Sequence, residues 1–376
     1  MIPFNVPYLT GKESFFIKDA YKKKHLSGDG FYSKECNQWL KDYLNCKAAY
    51  LTHSCTAALE IASILIDTKE GDEIIMPSYT FVSTANAFVL RKGVPVFVDI
   101  KKNDLNIDET LIEAAITTKT KAIVVVHYGG ISCEMDTIMG IAEKHNLVVI
   151  EDAAQGFYSE YKGKPLGSIG HIGCFSFHET KNIISGEGGA IVLNDNKFVD
   201  RTAIVRDKGT NRKLFYEGLV DKYTWVDIGS SFLPSEFNAA VLWSQLLEVE
   251  SITKKRQKIW DNYSKVIECI NDKRLYSYSR KLSKNKFNAH MFYLIFNKKE
   301  SRDDFIKFMK ANNIYCVFHY IPLHTSPQGL LSSRFNGDLS ITDFVSDRIV
   351  RLPFWVGLEN EQNKVIDSIK YFFDKK

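Results

Sequence analysis

Lys181 stands in the stretch Ser176-Phe177-His178-Glu179-Thr180-Lys181-Asn182, and the glycine-rich run Ser185-Gly186-Glu187-Gly188-Gly189-Ala190 follows at once. Upstream, Asp152 is followed by Ala153, Ala154 and Gln155, and Thr52-His53-Ser54-Cys55-Thr56-Ala57-Ala58 is a turn rich in hydroxyls and small side chains. An amine, a carboxylate backed by small residues and an anion-binding turn are what an enzyme needs to hold pyridoxal phosphate. The amine condenses with the aldehyde. The carboxylate keeps the pyridine nitrogen protonated, so that the ring can take up the electrons left when a Cα–H bond breaks. Lys181 lies 29 positions after Asp152, and Ser176 lies five before Lys181, placed to offer a hydroxyl to the phosphate. Glycines at 186–189 permit the tight turning such a lysine needs. Each feature alone has a plain explanation, because strand-end aspartates often cap and a lysine beside glycines is usually solvated. Their occurrence together, in this order, is what points to a cofactor lysine.

These residues need a scaffold that brings them to one place. The unbroken apolar runs Ile74–Met76, Val94–Val98, Ala122–Val126, Leu147–Ile150 and Ala190–Leu193 alternate with helical stretches, the pattern of a mostly parallel sheet covered on both faces. In such sheets ligands bind beyond the carboxyl ends of the strands. Ser54–Ala57, Tyr79–Phe81, His127, Asp152 and Gln155 all fall at those ends. The order strand, small-residue turn, helix around residue 54 suits a phosphate; taken alone it fits a capped helix equally well. Tyr32–Leu44 reads as an amphipathic helix with Trp39, Leu40, Tyr43 and Leu44 on its apolar side. A long helix is expected from Ser235 towards Tyr263, with a domain boundary inside it: residues 1–245 form a large domain and 246–376 a smaller α+β one. In the latter, strands are expected at Met291–Phe296 and Tyr315–Phe318, a helix at Asp303–Ala311 and a terminal helix ending at Phe373.

Composition sets the frame. The chain has 376 residues, 45% hydrophobic and 25% charged, which is ordinary for a globular enzyme. A net charge of +4 argues against a nucleic-acid platform. Seven cysteines without a CxxC pair read as free thiols in a reducing compartment. Cys55 reads as a small filler beside the phosphate turn. The first residues show neither a basic nor an apolar leader region, and no apolar run reaches the ~18 residues of a membrane span. A cytoplasmic protein with no membrane and no nucleic-acid partner is expected.

Asp152-Ala153-Ala154-Gln155, Gly167-x-x-Gly170, Ser176-Phe177-x-x-x-Lys181-Asn182 and Gly186-Glu187-Gly188-Gly189 resemble the sugar-nucleotide aminotransferases, a family of fold-type I pyridoxal phosphate enzymes similar in architecture to aspartate aminotransferase. The similarity runs from Ile2-Pro3-Phe4 to Arg351-Leu352-Pro353. Within the family, Pro77–Asn86, Ser176–Asn182, Lys222–Trp225 with Asp227–Ser231, and Phe318–His324 are most similar to the transaminases that make dTDP-4-amino-4,6-dideoxygalactose for bacterial surface polysaccharides. The resemblance implies roles by position. Lys181 is the Schiff-base lysine and proton shuttle, Asp152 pairs with the pyridine nitrogen, and Gln155 contacts the ring's phenolic oxygen. Phe81 stacks on the ring, while Thr56, Ala57 and Ser176 hold the phosphate. The family usually completes that phosphate site from the second subunit of a dimer, through a Gly-x-Asn-x-Arg pattern. This chain reads Gly229-Ser230-Ser231-Phe232-Leu233, so Ser231 takes the asparagine's place and the arginine is missing. The implied substrates are glutamate and a dTDP-4-keto-6-deoxyhexose.

Lys208 and Arg212 are candidates for the sugar diphosphate, against a solvated basic loop. His319 and His324 lack a carboxylate or cysteine cluster, so no metal site is expected, and a substrate-facing loop or a structural role is left for them. Amination at C3 and the gluco epimer remain open, as does a non-catalytic nucleotide-sugar binder. A dehydratase is disfavoured because dehydratases of this family carry histidine where Lys181 stands.

Overall fold

In the computed structural model, which describes residues 1–281 and 286–374, the strands run in chain order as β1 Ala48–Thr52, β2 Glu73–Pro77, β3 Val94–Val98, β4 Thr120–Val126, β5 Val148–Asp152, β6 Glu160–Tyr161, β7 Lys164–Pro165, β8 Ile172–Ser176, β9 Gly189–Leu193, β10 Leu275–Tyr278, β11 Tyr293–Phe296, β12 Arg334–Phe335 and β13 Ile349–Arg351. Eight of them form one sheet in the order β1-β9-β8-β5-β4-β2-β3-β12. Every pairing is parallel except those of β9, which runs antiparallel to β1 and to β8. The segment between β8 and β9 contains no helix that could carry a parallel crossover, so the chain turns straight back.

Apolar alternation along the strands supplies both faces. Ile74, Met76, Val124, Ile150 and Ile191 pack with Leu59, Ile61 and Leu65 of the helix Cys55–Leu65. Ile75, Val96, Val98, Ile123, Val125 and Val149 pack on the opposite face with Ile112, Met135 and Ile138. At the β1 end of that face, Leu40 and Leu44 of the helix Phe31–Leu44 pack with Leu51, Phe175 and Val192, and Trp39 and Tyr43 lie half-buried beside them. The fold is therefore the expected α/β arrangement, a large mostly parallel sheet with helices on both sides.

A second sheet, β10-β11-β13, is antiparallel throughout. With the helices Lys299–Ala311 and Gln362–Asp374 it encloses its own core of Tyr263, Phe292, Leu294, Phe296, Phe305, Val350 and Ile369. The single helix expected from Ser235 to Tyr263 is two, Glu236–Leu246 and Val249–Ile267. The first buries Ala239, Ala240 and Leu242 in the large core, and the second turns Ile259, Trp260 and Tyr263 into the small one. One straight helix cannot face both cores. The expected strand at 315–318 is reduced to one bridge between Val317 and Arg351, after which the chain leaves the sheet. Two elements cross any boundary drawn near residue 245: Ile2 bridges Ile314, and β12 pairs with β3 of the large sheet. Among the described residues no helix is long and apolar enough to cross a membrane.

Candidate active site

The carboxyl ends of β1, β2, β4, β5 and β8 open onto a cavity of about 650 Å³, closed on its other side by residues of the smaller sheet and its loops. Asp152, the last residue of β5, forms part of its wall. One oxygen, Oδ2, accepts from the Thr84 hydroxyl at 2.7 Å, and Oδ1 accepts from the Ala154 amide at 3.2 Å. Because the Thr84 proton is committed to Asp152, the Thr80 hydroxyl must be the donor in its 2.8 Å contact with Thr84. Burial pushes the Asp152 carboxyl above its ordinary value, against the pull of those two donors and of the Lys181 charge. A protonated ring nitrogen brought beside it supplies a further positive charge that favours the ionised form.

Lys181 reaches the same cavity from the loop between β8 and β9. That loop is pinned as a narrow hairpin by Phe177 N–H to Gly188 O, Glu179 N–H to Gly186 O and Ser185 N–H to Phe177 O, at 2.7–2.8 Å. Gly186 takes a positive φ of +83°, and a side chain at Gly189 would collide with the backbone of Ser54 and Cys55. The glycine run thus lets the lysine loop lie against the hydroxyl-rich turn. Asn182, next to the lysine, donates to the Asn288 carbonyl at 2.9 Å and meets His290 Nδ1 at 2.9 Å, tying the loop to the C-terminal half. Burial pulls the Lys181 amine below its ordinary value; the Arg351 charge adds to this, while Cys55 and Asp152 oppose it.

The turn after β1 caps the helix Cys55–Leu65. Ser54 accepts from the Ala57 amide, so Ala57, which is buried, has that amide committed within the chain. Cys55 and Thr56, at the start of the first turn, line the cavity. Their amides have no carbonyl four residues back within the helix. The Thr56 hydroxyl meets that of Ser83 at 2.8 Å, and Ser176 stands across from them in the same cavity. Phe81 is 57% exposed at the cavity wall, its ring centroid 6.3 Å from that of Tyr320. Gln155 is held at both ends: its Oε1 accepts from Gly129 N–H at 2.7 Å and its Nε2 donates to the Tyr320 hydroxyl at 2.8 Å. His319 is buried, 2.6 Å from the Tyr128 hydroxyl and stacked on Tyr320. Burial and the nearby cations pull its imidazole well below the usual range, so the ring is neutral.

Thr56, Phe81, Asp152, Gln155, Ser176, Lys181 and His319 therefore meet in one cavity. Ser231, Lys208 and Arg212 do not. Ser231 is exposed on a loop bridged to Asp207. Lys208 pairs with Asp207 at 2.8 Å, and Arg212 is engaged by the Tyr216 hydroxyl at 2.9 Å. His324 is likewise outside the cavity lining, held by Ser78 at 2.8 Å.

Four further groups were not foreseen from the sequence. Arg256, His290 and Arg351, all from the C-terminal half, line the cavity. Glu151, fully buried behind Asp152, accepts from His127 Nε2 at 2.8 Å and from the amides of Gly167, Ile169 and Gly170 at 2.5–2.7 Å. A side chain at Gly167, which has a φ of +86°, would strike the ring of Phe175, so the Gly167-x-x-Gly170 spacing serves a loop folded onto that carboxylate. No metal-binding group of His, Cys, Asp or Glu is found among the described residues.

The geometry fits pyridoxal phosphate in its donor set: an amine with lowered basicity, a buried carboxylate, a helix first turn suited to an anion and an exposed aromatic ring. Residues 9–370 match the model of the DegT/DnrJ/EryC1/StrS aminotransferase family. The chain belongs to that family. It is 31% identical to the GDP-perosamine synthase of Escherichia coli O157:H7 over 378 residues, covering 100% of this chain and 99% of that one. It is 34% identical to an uncharacterised protein of Methanocaldococcus jannaschii, covering 88% of this chain and 86% of that one. Among solved structures, Helicobacter pylori PseC, an aminotransferase of pseudoaminic acid biosynthesis, superposes with a TM-score of 0.90 at 26% identity over both full chains. The pyridoxal phosphate form of a sugar aminotransferase from Streptococcus pneumoniae gives 0.89 at 25% identity, covering 100% and 99%. This DegT-family protein is a sugar aminotransferase that depends on pyridoxal phosphate.

Proposed function

We propose that this enzyme moves the amino group of glutamate to C4 of a dTDP-linked 4-keto-6-deoxyglucose, giving dTDP-4-amino-4,6-dideoxygalactose. One observation carries the reading: of the four stretches on which the resemblance to the dTDP-4-amino-4,6-dideoxygalactose transaminases rests, three put residues on the wall of the Lys181 cavity, namely Thr80, Phe81 and Ser83; Ser176, His178 and Thr180; and Phe318, His319 and Tyr320.

Bound pyridoxal phosphate supplies an aldehyde that takes up amines and a ring that stores the electron pair released at carbon. In this reading Lys181 holds the aldehyde at rest and, once displaced, carries a proton from the donor's α-carbon and later to C4 of the sugar. Its lowered basicity suits both directions, because burial favours the neutral amine that accepts the first proton. Asp152, kept in place by Thr84 and the Ala154 amide, pairs with the ring nitrogen. The Cys55–Thr56 turn and Ser176 hold the phosphate, Gln155 orients the ring from its edge and Phe81 covers one face. Ala57 supports the turn through its capped amide.

A homodimer fits the remaining positions. Ser231 sits on an exposed loop, and Lys208, whose amide donates to the Ser230 carbonyl at 3.0 Å, travels with it, as does the adjoining Arg212. In a dimer that loop from a second copy completes the phosphate site and brings the basic pair towards the sugar diphosphate. We place the domain joint near residue 245, beside the helix break that follows Leu246, with 1–245 carrying the lysine and 246–376 the closing wall.

A second reading, a GDP-linked substrate, is favoured by the likeness to GDP-perosamine synthase. Assaying dTDP- and GDP-linked 4-keto-6-deoxyhexoses, and a 3-keto isomer, side by side with glutamate separates these. Turnover that prefers the dTDP 4-keto sugar supports the proposal, and preference for either of the others refutes it.

A further inference from the structure

His290 lines the Lys181 cavity with its protonation state fixed by its neighbours. Asn182, the residue after Lys181, donates from Nδ2 to the Asn288 carbonyl at 2.9 Å. A carbonyl only accepts, so the oxygen of the Asn182 amide is the atom turned to His290. That oxygen also only accepts, and the proton in the 2.9 Å contact therefore sits on His290 Nδ1. Burial, with the charges of Lys181, Arg256 and Arg351, pulls the imidazole well below its usual range. The ring is neutral and Nε2 carries a lone pair, to which no described residue donates. The backbone beneath the ring is unusual. Ala289 takes a φ of +49°, a left-handed conformation disfavoured for a residue with a Cβ. Arg256 holds that turn by donating to the carbonyls of Ala289 and His290 at 3.1 and 2.6 Å.

A lone pair held open beside three cations selects its partner by charge. A carboxylate or phosphate brings lone pairs of its own and no proton to share. An ammonium brings a proton but is repelled by Lys181, Arg256 and Arg351, whose charges all act on this ring. A neutral hydroxyl donates without that penalty. Glutamate at neutral pH offers carboxylates and an ammonium but no hydroxyl, so this acceptor serves the sugar. Which hydroxyl it meets follows from Lys181, since the carbon that is aminated lies at the lysine and the groups on its neighbours lie beside it. In a 4-keto-6-deoxyhexose, C5 carries the ring oxygen and the methyl group, and C3 carries a hydroxyl. We propose that His290 Nε2 accepts a hydrogen bond from the sugar hydroxyl on the carbon next to the ketone, the 3-hydroxyl of a 4-keto substrate. His290 is then a specificity-determining residue for the sugar half of the reaction. This rests on the sugar-aminotransferase reading of the cavity and deepens it.

Two variants of the holoenzyme separate the ring nitrogens. His290→Asn keeps a donor where Nδ1 meets Asn182 and removes the acceptor at Nε2. His290→Gln places an acceptor at the Nε2 position and gives up the Asn182 contact. Each enzyme is given dTDP-4-keto-6-deoxyglucose, its 3-deoxy analogue and its 2-deoxy analogue with glutamate, and kcat/KM is measured for each sugar. Release of 2-oxoglutarate from glutamate in a single turnover without sugar reads the donor half alone. The wild type is expected to disfavour the 3-deoxy sugar by about 2- to 12-fold, the range of one neutral hydrogen bond. His290→Asn should lose that preference, leave the 2-deoxy preference as it was and change the donor half by less than about threefold; His290→Gln should keep part of it. Comparing enzymes cancels any change in the ketone's own reactivity. A wild type indifferent to the 3-hydroxyl overturns the proposal, as does a His290→Asn enzyme that still discriminates fully. So does equal loss in both halves with a lowered melting temperature, which assigns His290 to tying down the lysine hairpin. If the wild type aminates a GDP-linked or 3-keto sugar instead, the substrate reading fails. The same comparison on that sugar, with and without the hydroxyls beside its ketone, then decides this proposal.

Discussion

Glu151→Gln tests how the site is held. The two carboxylate oxygens of Glu151 serve four donors, His127 and Gly167 on one, Ile169 and Gly170 on the other. A glutamine keeps one acceptor oxygen and turns an NH₂ towards the other pair, so two buried donors lose their acceptor whichever way the amide is flipped. Each orphaned buried donor costs about 1–3 kcal/mol, and breaking one side of a buried charged cluster costs about 3–5 kcal/mol. A loss of roughly 2–6 kcal/mol is therefore expected, a large share of the ~5–15 kcal/mol that stabilises a domain. Because Glu151 adjoins Asp152 and anchors the loop behind it, cofactor affinity should fall as well. Denaturant unfolding of wild type and variant, stripped of cofactor and at neutral pH, measures the first effect. Fluorescence titration with pyridoxal phosphate measures the second. A stability change under about 0.5 kcal/mol, the ordinary scatter of surface substitutions, would refute the account of this cluster.

Lys181→Ala should abolish amino transfer from glutamate while leaving the fold intact by circular dichroism. Asp152→Asn should lower turnover by two or more powers of ten, at least ~2.7 kcal/mol of barrier, with the Thr84 contact preserved. In the cofactor-free protein, Lys181→Met should raise stability by on the order of 1 kcal/mol at pH 7. The folded lysine has its pKa lowered, so the charged form is penalised below that value and the penalty disappears as pH rises towards 10.5, the ordinary lysine value. The gain should therefore shrink on the alkaline side; a constant gain across pH would contradict the assignment. Phe305→Ala, in the centre of the smaller core, should cost about 3–5 kcal/mol by denaturant unfolding.

The large sheet was legible because its strands are near-continuous apolar runs, and a parallel sheet collects the residues at its strand ends. Asp152, Gln155 and Ser176 come together for that reason, and the glycine-rich hairpin after β8 brings Lys181 to them. Beyond the Phe318–His324 stretch, the wall contributed by the C-terminal half was not legible, since Arg256, His290 and Arg351 reach the cavity through tertiary packing that no local spacing encodes. A signal existed for Arg351, a lone charge in the apolar run Ile349–Pro353. Glu151 and Asp152 are adjacent acids at one strand end, and only the fold shows that one faces the cavity and the other the loop of Gly167 and Gly170. Lys208 and Arg212 looked available in sequence, yet each has a local partner. The helix break after Leu246 was hidden because both halves are helical by pattern, and it follows from two cores that one axis cannot serve.

Amino transfer to C4 leaves a mark that can be read in the product. The most direct measurement is NMR of the nucleotide sugar formed by the holoenzyme from dTDP-4-keto-6-deoxyglucose and glutamate carrying an isotopically labelled amino nitrogen. The label is expected bonded to C4 in the galacto configuration. Label at C3, a gluco product or an unlabelled sugar would contradict it.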